Sequence, residues 1–123
     1  MRIRGFTLIE LLVVMALIAL LVSYVGPRYF SVAARADEAV LRHNLFQLRD
    51  SLDKFYADRG RYPDSLGELV KERYLRTVPP DPFTGRADSW VIVPPEPGID
   101  GKVADVRSAS PQTARDGSKF GTW

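Results

Sequence analysis

The sequence predicts an α+β fold. A long N-terminal helix, its first half apolar enough to span a membrane, packs on a small head with a short helix and a small antiparallel sheet. Three observations lead there. An apolar run extends without interruption from Leu11 to Val22. Leu41, Leu45, Leu48, Leu52 and Phe55 recur at spacings of four and three, which marks one face of a helix. From Gly60 onward, proline and glycine cut the chain into pieces with room only for short elements. The division expected is a leader over 1–5, a transmembrane helix over 6–25, its continuation over 26–58 and the head over 59–123.

The leader and the apolar run belong together. Phe6 to Val25 makes about 20 residues, roughly 30 Å as a helix and close to the thickness of a bilayer core. The formal charge of +2 comes wholly from Arg2 and Arg4, because the 15 acidic residues balance the basic residues after Gly5. Basic residues ahead of an apolar run hold that end on the cytoplasmic side and send the rest across. The chain has no cysteine, so an exported head would fold without disulfides, and thiol chemistry and a lipoprotein anchor are excluded. An ordinary secretory signal places small residues after its apolar stretch. Here Ser23-Tyr24-Val25-Gly26-Pro27-Arg28 follows the stretch, and the small residue, Gly5, comes before it.

Glu10 is the anomaly of this segment. An ionised carboxylate in hydrocarbon is costly unless it finds a partner or reaches the interface. Arg4-Gly5-Phe6-Thr7-Leu8-Ile9-Glu10, followed by Leu11-Leu12-Val13-Val14, resembles the N-terminal signature of type IV prepilins and of the pseudopilins of type II secretion. That resemblance implies cleavage between Gly5 and Phe6 by a membrane prepilin peptidase and N-methylation of Phe6. It also implies that Glu10 faces the new terminal amine of a neighbouring subunit during assembly. Carboxylate and ammonium then offset each other's desolvation.

Gly26-Pro27 falls just past the span. Proline removes one helix hydrogen bond and crowds the Ser23 carbonyl. Two readings stay open: a kink at the membrane surface, or, by the resemblance, a place where Pro27 lets the helix bend or unwind during filament packing. The helical pattern then resumes to about Ala57. Glu38–Arg42, Arg49–Asp53, Asp50–Lys54 and Lys54–Asp58 are opposite charges four apart, as expected of solvated faces. Phe46 lies off the apolar stripe, as an exposed aromatic or a contact for a neighbour. His43, the only histidine, stands opposite the stripe with no second nitrogen or sulfur ligand in the chain, which argues against a metal or catalytic role.

In the head, Gly60 and Pro63 end the long helix. Ser65-x-x-Glu68 reads as a capping box for a short helix carrying Leu66, Leu69 and Val70. Pro79-Pro80-Asp81-Pro82-Phe83-Thr84-Gly85 is a turn-rich connection. Trp90–Val93 has strand composition and ends at Pro94-Pro95, and Val103 and Val106 flank a second strand ending near Ser108. The polar stretch from Ala109 closes on Phe120 and Trp123, an aromatic pair placed to pin the tail onto the head.

This order of elements resembles the major, or G-type, pseudopilins across almost the whole chain, within the type IV pilin-like superfamily. Gly60-Arg61-Tyr62-Pro63, Asp81-Pro82-Phe83-Thr84-Gly85, Pro97-Gly98 and Asp105-Val106-Arg107-Ser108 carry the likeness. It implies a structural subunit anchored in the bacterial inner membrane with its head in the periplasm. Such a subunit polymerises into a helical homo-oligomeric filament with other pseudopilins on an inner-membrane assembly platform. It also implies calcium (Ca2+) in the C-terminal loop, for which Asp105, Ser108 and Asp116 are the candidate ligands. Calcium takes about six to eight oxygens, usually with several carboxylates. The loop itself offers only Asp116, with Arg115 beside it, so a plain turn at Asp116-Gly117 is the favoured reading.

The alternative function is a pilin or minor pilin of a type IV or DNA-uptake pilus. Arg59, Arg61, Lys71, Arg73 and Arg76 are interleaved with Asp58, Asp64, Glu68 and Glu72, which does not make a nucleic-acid surface. Nor does the sequence carry a nucleophile elbow, a metal-ligand cluster or a phosphate loop, and no enzyme is expected.

Overall fold

The computed structural model describes residues 5–123; residues 1–4, including Arg2 and Arg4 of the leader, lie outside the described residues. In chain order the elements are helix α1 (Leu8–Arg59), helix α2 (Leu66–Lys71), strand β1 (Val91–Val93), strand β2 (Asp105–Arg107) and a 3-10 turn (Phe120–Thr122). The chain divides into two compact units, Met1–Ala36 and Asp37–Trp123.

In the first unit the apolar side chains from Leu8 to Val25 are all exposed. By length and composition this is a helix able to cross a membrane. Helical structure continues across Pro27. Since Pro27 has no N–H, the Ser23 carbonyl loses its usual donor. Around that gap the Ser23 hydroxyl donates to the Ala19 carbonyl at 2.7 Å. The Arg28 guanidinium lies 4.5 Å from the centre of the Tyr24 ring.

The second unit is organised by the apolar stripe. Leu41, Leu45, Leu48, Leu52 and Phe55 are all buried, as their spacing predicts, and meet Leu69, Leu75, Trp90, Val103, Val106, Ala114 and Phe120 in one core. Burying each such large side chain stabilises the fold by about 1.5–3 kcal/mol. Two polar residues share the buried face. Asn44 donates from Nδ2 to the Pro80 carbonyl at 2.8 Å. The Ser51 hydroxyl lies 2.9 Å from the Gln47 carbonyl and 3.3 Å from that of Tyr74.

The i,i+4 charge pattern along α1 forms only in part. Lys54 and Asp50 pair at 2.8 Å. Glu38, expected to meet Arg42, instead binds Arg115, accepting from its backbone N–H at 3.0 Å and from Nε at 3.4 Å. Arg49, expected to meet Asp53, pairs with Asp105. A surface i,i+4 pair contributes only tenths of a kcal/mol, so a partner brought close by the tertiary fold readily wins.

Gly60 caps α1 in the left-handed region (φ 69°), its N–H on the Tyr56 carbonyl at 2.8 Å. The next residues pair with the β1–β2 connection. The Tyr62 N–H donates to the Asp100 carbonyl, and the N–H groups of Lys102 and Val103 both donate to the Pro63 carbonyl. Gly101, at φ 108°, sits so close to the main chain of Tyr62 that a Cβ there would collide with it. The sheet is the antiparallel pair β1–β2, with Val91 opposite Arg107, Ile92 opposite Val106 and Val93 opposite Asp105. Two three-residue strands are not stable alone; β2 holds because Val106 is part of the core.

Helix α2 starts on Ser65, whose hydroxyl accepts the Glu68 N–H at 3.3 Å. The reciprocal half of the predicted capping box is displaced by one residue, because Glu68 Oε2 accepts from the Asp64 N–H at 2.7 Å. Arg61 donates to Glu68 Oε1 at 2.6 Å. That hydrogen bond, then the one from Asp64, holds the Glu68 carboxyl below its ordinary pKa. The helix ends in a Schellman arrangement, with Arg73 N–H on Val70 O and Tyr74 N–H on Leu69 O. Arg73 occupies the left-handed position at φ 66°, where glycine is usual.

Candidate functional site

The N-terminal residues singled out by sequence come together around the first turn of α1. Gly5, Phe6 and Thr7 precede the helix and are exposed, so the Gly5–Phe6 peptide bond lies on irregular, accessible backbone. Nothing lies within 4 Å of where a Gly5 Cβ would stand. A protease must engage its substrate in an extended form, and this bond needs no unwinding to reach it. Phe6 is 89% exposed.

Glu10 has a local role that the sequence reading missed. Its Oε2 accepts the Thr7 N–H at 3.0 Å, and its own N–H donates to the Thr7 hydroxyl at 3.2 Å. Thr7-Leu8-Ile9-Glu10 is therefore a complete capping box, which a reader watching for the S/T-x-x-E spacing could have found. It satisfies two backbone donors at a helix start that has no other partner in an apolar medium. The carboxylate also sits at the positive end of the helix dipole. Among the described residues, Oε1 takes no hydrogen bond and remains available to a donor from outside the chain. Pro27 is in the same unit, inside α1 and exposed.

The three residues considered for calcium are each held by other protein groups. Asp105 Oδ1 accepts from Arg49 Nε and from the Val106 N–H, both at 2.8 Å. Ser108 donates its hydroxyl to Asp81 Oδ2 and accepts the Ser110 N–H at 3.2 Å. Asp116 Oδ1 accepts from the Ser118 N–H at 2.9 Å and from its hydroxyl at 2.6 Å. Those two bonds, the hydroxyl first, hold the Asp116 carboxyl below its ordinary pKa. The Gly117 N–H returns to the Ala114 carbonyl at 3.0 Å, so Asp116-Gly117 is a turn. Among the described residues no group of three or more acidic, histidine or cysteine side chains is placed to hold a metal ion. Among the described residues the side chains do not supply the several clustered carboxylates that calcium usually takes.

Two residues to which the sequence reading gave other places, Asp81 in a turn motif and Arg49 in a surface charge pair, organise this end of the head. Asp81 is completely buried in the proline-rich connection. Its Oδ1 accepts the Phe83 N–H at 2.8 Å, and its Oδ2 takes Ser108. Phe83 in turn stacks on Phe120 with ring centres 4.1 Å apart, and Trp123 meets Phe120 edge-on at 4.9 Å. The expected pinning of the tail by Phe120 and Trp123 is what the structure shows. The second residue is Arg49, whose Nη2 donates to the Val106 carbonyl at 3.1 Å and to the Trp123 main-chain oxygen at 2.6 Å. Phe46 is 69% exposed beside it and has no place in the core.

Comparison with known proteins adds a family-level finding. Residues 1–25 match the family described as the prokaryotic N-terminal methylation motif. The type II secretion system core protein G of Dickeya chrysanthemi is 32% identical over 137 aligned positions, covering 99% of this chain and 87% of that protein. Core protein G of Escherichia coli (strain K12) is 32% identical, covering 88% and 81% respectively. The type IV major pilin protein PilA of Myxococcus xanthus (strain DK1622) is 35% identical, over 55% of this chain but only 31% of the pilin. No solved structure matches.

Proposed function

This chain belongs to the type II secretion system core protein G family, and from that premise we propose how its residues serve a structural pseudopilin. It is a subunit that polymerises into the pseudopilus of a type II secretion system, and it carries the prepilin methylation motif. The observation that carries this reading is likeness to core protein G over nearly the full length of both chains, on top of the N-terminal motif. The pilin alternative rests on under a third of the pilin's length.

In this reading the leader 1–5 stays on the cytoplasmic side and is removed at the Gly5–Phe6 bond by prepilin peptidase. Phe6 is then N-methylated. Residues 6–25 hold the subunit in the inner membrane until it is drawn into the fibre, 26–58 continue the helix, and the head, 59–123, stands in the periplasm. Cleavage turns the Phe6 amide into an ammonium two residues before the start of α1. The neighbour's Glu10 is the partner proposed for that ammonium. Its Oε2 stays on its own Thr7 while Oε1 accepts from the incoming amine, so capping and pairing are compatible. Both charges would otherwise be stranded in hydrocarbon, where an ionised group costs several kcal/mol. Pro27, whose missing N–H already leaves one carbonyl unanswered, is the place proposed for the helix to yield during packing. The subunit catalyses nothing and binds no nucleic acid; its chemistry is done to it by the peptidase and methylase.

Glu10→Leu separates assembly from insertion and processing. The variant is expected to reach the membrane and be cut at Gly5 like the parent, yet to give few or no fibres on shearing and electron microscopy. Normal fibre yield from Glu10→Leu would remove the pairing role.

A further inference from the structure

We propose that the Arg49 guanidinium is a built-in cation that closes the C-terminal segment of this head, so that the head folds without the calcium its family resemblance implies. Three oxygens converge on one side chain: Asp105 Oδ1 on Nε at 2.8 Å, and the Val106 carbonyl and Trp123 main-chain oxygen on Nη2 at 3.1 and 2.6 Å. A carboxylate and main-chain carbonyls are the donor types calcium takes. Here they surround a charge that is covalently part of α1. The guanidinium thereby ties three stretches of chain together: the long helix, strand β2 and the segment that ends at Trp123.

The rest of the loop agrees with a metal-free closure. Ser108 is committed to Asp81 and Ser110, and Asp116 to Ser118. Arg115, beside Asp116, is turned onto Glu38 of α1 and forms a second guanidinium link between loop and helix. A third, Arg42, lies over the Trp123 ring at 4.5 Å from its centre. A dication entering here would meet fixed positive charge, and Asp105 and Asp116 each already have one oxygen engaged. The Arg49–Asp105 pair is itself about one-third exposed, so the ion pair alone would contribute little. The holding power comes from one planar group engaging three oxygens on two separated segments at once.

The test uses the full chain in detergent micelles and does not depend on fibre formation, so it stands apart from the pseudopilus reading. Thermal melting followed by circular dichroism is compared in millimolar calcium and in chelator. Hydrogen exchange of residues 109–123 is measured alongside. The parent is expected to melt at the same temperature in both buffers. Arg49→Gln should melt several degrees lower in both, with faster exchange across 109–123. Arg49→Lys, which keeps the charge but loses the planar fork, should fall between them and covers the case in which Arg49→Gln does not fold. A calcium-dependent rise in the parent's midpoint overturns the proposal. So does unchanged exchange across 109–123 in the arginine variants.

Discussion

Asp81 has no solvent-exposed surface, and both of its carboxylate oxygens are occupied, one by the Phe83 N–H and one by the Ser108 hydroxyl. Removing the carboxylate strands a buried hydroxyl and a partly buried N–H at once, and an unsatisfied buried donor costs about 1–3 kcal/mol. Asp81→Ala in the full chain should therefore lose at least about 2 kcal/mol in a denaturant titration, whereas Asp81→Asn, which still accepts from Phe83, should lose less. Equal losses would show that packing of the turn matters more than its hydrogen bonds. The turn motif of residues 81–85 marks Asp81 locally, through the Phe83 N–H two residues on, but nothing local announces its second partner, Ser108, 27 residues away. Arg49 is the same case at longer range, 56 and 74 residues from the groups it holds. Periodicity says which face of a helix a residue occupies, but not which distant segment arrives there. Glu10 was legible from its place in an apolar run, and Thr7, three residues away, was the overlooked half of its local role.

At the scale of elements, local pattern was a good guide where one residue type dominates the physics. The five-residue stripe of α1 is buried as its spacing predicts, and both strands fall where β-branched residues sit between proline and glycine turns. Charge pairing was read less well, because interactions worth tenths of a kcal/mol yield to any better partner the fold supplies. Helix α2 shows the same limits. Its start was visible in Ser65, but its end depends on Arg73 adopting φ 66°, which no sequence rule assigns to arginine. That conformation costs a residue with a Cβ about 1 kcal/mol relative to glycine. Arg73 is exposed and its side chain takes no hydrogen bond among the described residues, so Arg73→Gly should raise the melting temperature by a few degrees. A lower melting temperature would mean that the arginine side chain has a stabilising role of its own.

For the whole molecule, the two units present opposite surfaces. The second unit encloses an apolar core, with Phe46, Val91 and Ile92 left at its surface, while the N-terminal helix exposes every large apolar side chain from Leu8 to Val25. Such a surface suits an apolar environment, and the formal net charge of +2 equals that of Arg2 and Arg4 ahead of it. Intact mass of the membrane-extracted protein is expected to match a chain beginning at methylated Phe6. A mass retaining Met1 or Arg2 would place the cut elsewhere or show that none occurs.

The seating of Phe120 in the core and of Trp123 on Arg49 has a consequence in time. Polypeptide is made from its N-terminus, and the α1 stripe is complete by Phe55, long before the residues that cover it. Until Phe120 and Trp123 have been added, the stripe lacks part of its cover and Arg49 lacks one of its anchors. The core is therefore completed by residues made long after the stripe it covers, and closure of the head is a late event in synthesis.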